Sequence, residues 1–231
     1  MRTLRQLGIA IPFVAATVLG FGAPKTFEGK IAFLMTSGKT TVPFTYYIKG
    51  GLIRAEMAAE KGQTGVILIN PVKREMTFLM PGQKMYMVHQ MQEPANNTAE
   101  TQGNDEQIEF KRTGEYETIL GYRCEKMLVK SKDGTAEIWG AEGMGTFVNP
   151  NGLNPMAHRG SAVRNAWEAE VGNRGFFPLR AIGHDNKGNQ SFKMEATEID
   201  KSTPADSLFV PPADYRKFEM PNLGGLNPFR Q

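Results

Sequence analysis

Met85, Met87, His89 and Met91 stand at i, i+2, i+4 and i+6, so an extended strand points all four to one side. Thioethers with an imidazole are ligands for soft Cu(I). The same spacing is that of an apolar strand face continuing Met76, Phe78 and Met80, and methionine also fills irregular cores and adaptable binding surfaces. Both readings stay open. His89, His158 and His184 fall on different elements without Cys-x-x-Cys or His-Glu-x-x-His, so neither usual zinc class has its ligands. Ser37-Gly38-Lys39-Thr40 resembles the end of a phosphate loop, but the first glycine of that motif would fall on Phe33. Gly140, Gly143 and Gly145 lack the strand–helix–strand context of a dinucleotide site, and no Gly-x-Ser-x-Gly elbow occurs. The residues therefore predict a non-enzymatic protein without a cofactor. Cys124, the one cysteine, reads as a small buried hydrophobe or a reactive thiol. Trp139 reads as core or rim packing, and Arg54 with Glu56 as a solvated pair near the sheet edge.

Short alternating runs must position these side chains. Strands are predicted near 27–36, 41–49, 51–58, 64–70, 75–80 and 84–90, separated by Ser37-Gly38-Lys39, Gly50-Gly51, Lys61-Gly62, Asn70-Pro71 and Pro81-Gly82. Val66 to Leu68 and Ile69 are apolar on both faces, the mark of a central strand covered twice, with a helix as the expected cover. Residues 91–107 read as a flexible polar loop. Strands resume near 108–113, 118–130 and 134–140, with a bulge expected between Cys124 and Met127, where Lys126 falls on the apolar face. Residues 149–175 are read as a helical insertion whose helix Ser161 would cap, with Val163, Ala166, Trp167 and Val171 expected to share a face. Strands near 176–184 and 189–199 precede a disordered tail at 216–231.

Arg2 and Arg5 followed by the apolar run Leu7 to Phe21 predict a signal peptide over residues 1–22. Removing those two arginines brings the 27 basic residues to within one of the 24 acidic ones. Such neutrality, without a Lys/Arg cluster, argues against nucleic acid. A single β-rich domain is expected over 24–215, held by burial because one cysteine excludes a disulfide framework. No integral membrane span remains once the leader is removed.

Three blocks occur in order: Phe27-Glu28-Gly29-Lys30-Ile31, then Ile119-Leu120-Gly121-Tyr122-Arg123-Cys124 with Glu137-Ile138-Trp139, then Asp206 to Tyr215 with its Leu-Phe-x-x-Pro ending. Together they resemble the exported bacterial family called domain of unknown function 4412, similar in turn to the lipoprotein-localisation carriers (LolA/LolB-like). The resemblance implies a curved antiparallel sheet, a half-open barrel of about eleven strands with a helical plug or lid, and a concave apolar interior. It carries over no catalytic residue.

The expectation is thus a periplasmic or secreted binding protein of the bacterial cell envelope. It would hold an acyl chain, lipid or lipidated peptide on Phe33, Phe44, Tyr46, Met76, Phe78, Met85, Met87 and Trp167. One alternative is a structural or protein-interaction module of the envelope with no small ligand. The other is soft-metal (Cu) binding through Met85, Met87, His89 and Met91.

Overall fold

The computed structural model describes residues 27–58, 64–91, 108–145, 147–148, 167, 171 and 174–219. The leader, the 92–107 connection, the Ser161 cap and most of the 149–175 insertion lie outside the described residues.

Alternation becomes one curved, open antiparallel sheet. Its strands are β1 (Gly29–Ser37), β2 (Thr40–Lys49), β3 (Leu52–Ala58), β4 (Thr64–Asn70), β5 (Glu75–Met80), β6 (Met85–Gln90), β7 (Glu109–Ile119), β8 (Tyr122–Ser131), β9 (Gly134–Glu142), β10 (Phe176–Asp185), β11 (Gln190–Asp200) and the two-residue β12 (Arg216–Lys217). The strand order is β12-β6-β5-β4-β3-β2-β1-β11-β10-β9-β8-β7. Two meanders, β1–β6 and β7–β11, are joined by pairing of β1 with β11. At that seam Gly29 is obligatory, because a Cβ there would overlap the Asp200 carbonyl oxygen. β6 and β7 are consecutive in the chain yet stand towards opposite ends of the order. The sheet does not close into a barrel.

Several expectations need correction. The run 118–130 is not one strand: Leu120 (φ 49°) and Gly121 (φ 83°) make a two-residue hairpin turn between β7 and β8. Positive φ at both positions matches strand twist, and a leucine there hides the signal. The bulge lies on β7, between Arg112 and Tyr116, and the β8–β9 register is unbroken. Lys126 therefore points with its partner Trp139 to the outer face, while Glu125, Met127 and Val129 are buried on the inner one. The expected helix over the second face of β4 is replaced by the chain's own C-terminal segment. Val66, Leu68 and Leu79 pack on that side with Tyr86 and Tyr215.

The C-terminal segment crosses the outer face as a strap. Arg54 Nη1 donates to the Leu208 carbonyl at 2.9 Å, Lys49 meets Asp206 at 2.6 Å, and Lys84 meets Asp214 at 2.9 Å. Arg216 N–H and Phe218 N–H donate to the Lys84 and Tyr86 carbonyls, so β12 runs parallel to β6. Arg216 and Lys217, assigned to the tail by sequence, thus extend the sheet. Arg54 and Glu56 (2.6 Å apart) lie inside the sheet on β3, and Arg54 anchors the strap instead of standing in solvent.

Candidate functional site

Cross-strand register builds the inner face row by row. Tyr46 pairs with Ala55, Ala55 with Ile67, Ile67 with Phe78, and Phe78 with Met87. A second row runs Ile48, Ile53, Ile69, Met76 and His89. Paired residues share a face, so the first row is a continuous apolar track across five strands, and the second is apolar across four and ends at His89 on β6. Burial falls along the first row: Tyr46 is 0% exposed, Ala55 2% and Ile67 7%, whereas Phe78 and Met87 are half-buried.

The deep end is an aromatic cluster. Phe33 stacks on Phe44 at 4.7 Å between ring centroids, and Tyr46 stacks on Phe147 at 5.7 Å. Phe177 meets Phe147 edge-on at 5.6 Å. Trp167 lies between Phe147 (5.8 Å, 27° between planes) and Phe192 (6.2 Å, 18°). Trp167 and Val171 are helical and buried in this cluster, so these two residues plug the concave face. Offset stacks and edge contacts of this kind add to the burial of the rings themselves. Close packing extends to the backbone: a Cβ on Gly183 would overlap the Phe192 ring.

The eight residues read from sequence therefore divide. Phe33, Phe44, Tyr46, Met76 and Trp167 belong to the packed core, each at most 5% exposed. Phe78, Met85 and Met87 are half-buried at the β5–β6 end. Val42, Met57 and Met91 are likewise half-buried and pack against the core. Sequence reading missed Phe147, Phe177 and Phe192: the first lies beyond a strand end, and the other two differ from ordinary strand apolars only in what faces them. The Met/His strand gains partners, since Met80 stands opposite Met85 and Met76 opposite His89. His89 is exposed. Among the described residues, no cluster of three or more His, Cys, Asp or Glu could hold a metal ion.

Two charge clusters elsewhere are paired. Glu125, 4% exposed at the inner face, receives Arg112 Nε at 2.8 Å and the same guanidinium's Nη2. The Arg112 bond is the main reason its carboxyl is held below the usual carboxylate range. Outside, Arg180 bridges Glu117 (2.7 Å) and Glu195 (3.0 Å), and its guanidinium lies 5.2 Å from the Trp139 ring. Lys126 approaches that ring at 5.3 Å, which makes Trp139 an outer-face residue. Cys124 is fully buried and burial pushes its thiol up to about 11, the state of a structural cysteine. Among the described residues, no helix is long and apolar enough to cross a membrane.

An uncharacterized conserved protein from Thermus thermophilus is similar in structure, with 11% identity and a TM-score of 0.48, covering 83% of this chain and 90% of that one. MucB in the Pseudomonas aeruginosa MucA/MucB complex shows 10% identity and a TM-score of 0.44, covering 81% of this chain and 56% of that one. The Mycobacterium tuberculosis lipoprotein LppX shows 11% identity and a TM-score of 0.34, covering 78% and 90%. Likenesses this loose assign no ligand. No curated protein matches the chain in sequence. The three sequence blocks fall at the β1–β11 seam, the β7–β8 turn with β9, and the strap, and all lie within residues 27–215, which match the family model "Domain of unknown function (DUF4412)"; the chain belongs to that family.

Proposed function

We propose that this is an exported, non-catalytic binding protein that holds an acyl chain, lipid or lipidated peptide on the inner face of β3–β6. The observation that carries the reading is the first inner row, which passes from the sealed Tyr46 to the half-buried Phe78 and Met87 without a polar interruption. An apolar track open at one end is what an elongated hydrophobic guest needs, and each Å² it covers contributes about 25 cal/mol. Methionines at the open end give it an adaptable surface. Lipid extraction and native mass spectrometry of protein from its own host test the proposal, together with displacement of a fluorescent fatty-acid probe. Phe78→Asp and Met87→Lys should abolish probe binding while leaving the fold intact. Recovery of a bound protein and no lipid would favour the interaction-module alternative instead.

A second reading is favoured by one register observation. Met80 and Met85 are direct cross-strand partners, with Met87 two residues along. Their flexible thioethers could converge on one Cu(I). Copper(I) titration of a variant with all three changed to leucine decides it: unchanged affinity ends the idea.

A further inference from the structure

A glycine weakens a strand interior unless a left-handed φ or a close neighbour requires it. Gly29, Gly134, Gly140 and Gly183 sit within strands where a Cβ would overlap an adjacent group, and Gly114 has φ 75°. Gly65 on β4 has neither reason. Its φ lies outside the left-handed region, and a Cβ would meet only the Met57 carbonyl oxygen, at 4.0 Å, an ordinary contact. What the missing side chain provides is open space.

Register places that space on the inner face. Gly65 stands opposite Met57 on β3, and the β4–β5 pairing of Val66 with Leu79 continues to set Gly65 beside Met80, whose own partner is Met85. Gly65 is exposed, while Met57, Met80 and Met85 are half-buried. β3 and β5 lie two strand spacings apart, roughly 9.6 Å, so this row carries a gap one side chain wide between two thioethers. Ile67, 7% exposed, closes its deep side. Phe78 and Met87, each two residues along from Met80 and Met85, are the half-buried members of the first row. These walls are hydrocarbon and thioether. A peptide laid between them would turn N–H and C=O groups towards apolar atoms, whereas an acyl chain leaves nothing unmet.

We infer that Gly65 forms an entry notch: a fatty-acid chain crosses the row between Met57 and Met80 and lays its tail over Phe78 and Met87, with its carboxylate left in water. The sealed Tyr46 and Trp167 take no part. The inference rests on the binding reading above and names the guest and the residue that admits it.

The test is displacement of a fluorescent fatty-acid probe by palmitate from delipidated full-length mature protein. Gly65→Leu fills the notch and should bind palmitate about tenfold more weakly, the worth of roughly 55 Å² of lost apolar contact. Its urea midpoint should be no lower than that of wild type, because a side chain replaces a glycine in a strand. Thr64→Leu adds bulk on the opposite face, where Thr64 is exposed, and should bind as wild type does. In wild type with 13C-labelled methionine methyls, palmitate should shift Met57 and Met80, while Met127 and Met194, both 0% exposed, stay in place. Full palmitate affinity in Gly65→Leu, an equal loss in Thr64→Leu, or unmoved Met57 and Met80 methyls in wild type overturns the notch and leaves the binding proposal standing. So does a lowered midpoint or a failure to fold in Gly65→Leu, since that glycine would then serve the fold. Wild-type protein that binds neither the probe nor palmitate overturns both.

Discussion

Changing Tyr215 to alanine isolates what the strap contributes. Tyr215 is half-buried and packs with Tyr86 over Val66, Leu68 and Leu79, which are only 4–5% exposed. Losing roughly 100 Å² of ring contact at about 25 cal/mol per Å² gives about 2.5 kcal/mol, an upper figure because neighbours relax inward. For a domain of this size, that lowers Tm by about 5–10 °C. The neighbouring Lys84–Asp214 pair is 67% and 58% exposed, so solvent screens it, and Asp214→Asn should leave the unfolding midpoint nearly in place. The assay is urea unfolding followed by tyrosine and tryptophan fluorescence, comparing midpoints at constant slope. An apolar dye should bind Tyr215→Ala more strongly than wild type as the outer face of β4 opens. Equal midpoints for Tyr215→Ala and Asp214→Asn would refute the claim that apolar cover, and not the ion pairs, holds the strap.

Gly29→Ala should be among the most destabilising single changes, about 3 kcal/mol or more, because its Cβ would overlap the Asp200 carbonyl oxygen at the β1–β11 seam; native-like unfolding of that variant would refute the seam geometry. Glu125 has a lowered folded pKa, so its contribution is fully present above the ordinary glutamate value near 4.3 and is lost as pH falls through the folded one. Acid should therefore lower the urea midpoint of wild type through that window, and Glu125→Gln should be less sensitive there. Cys124, buried with its thiol near 11, should resist a thiol reagent at pH 8 until urea unfolds the chain; rapid native labelling would show an open site instead.

Strand positions were legible because alternation and turn chemistry are local. The spans 64–70 and 75–80 coincide with β4 and β5, since each strand needs only its own side chains to declare a two-residue period. Val66 to Ile69 likewise announced that both faces are covered. Their sequence could not name the cover, because Tyr215 lies far along the chain and a strap carries no period of its own. The turn at Leu120 was hidden because its positive φ is imposed by the pairing of β7 with β8, not by leucine's own preference. The candidate site divides the same way: alternation assigns Phe33, Phe44, Tyr46, Phe78 and Met87 to apolar faces, but core and binding surface share one spacing. Only the register across five strands, and the stacking of Phe147 and Trp167 over one end, decided which of these residues are sealed and which remain reachable. Periodicity fixes which way a side chain points; what it meets there depends on partners distant in sequence.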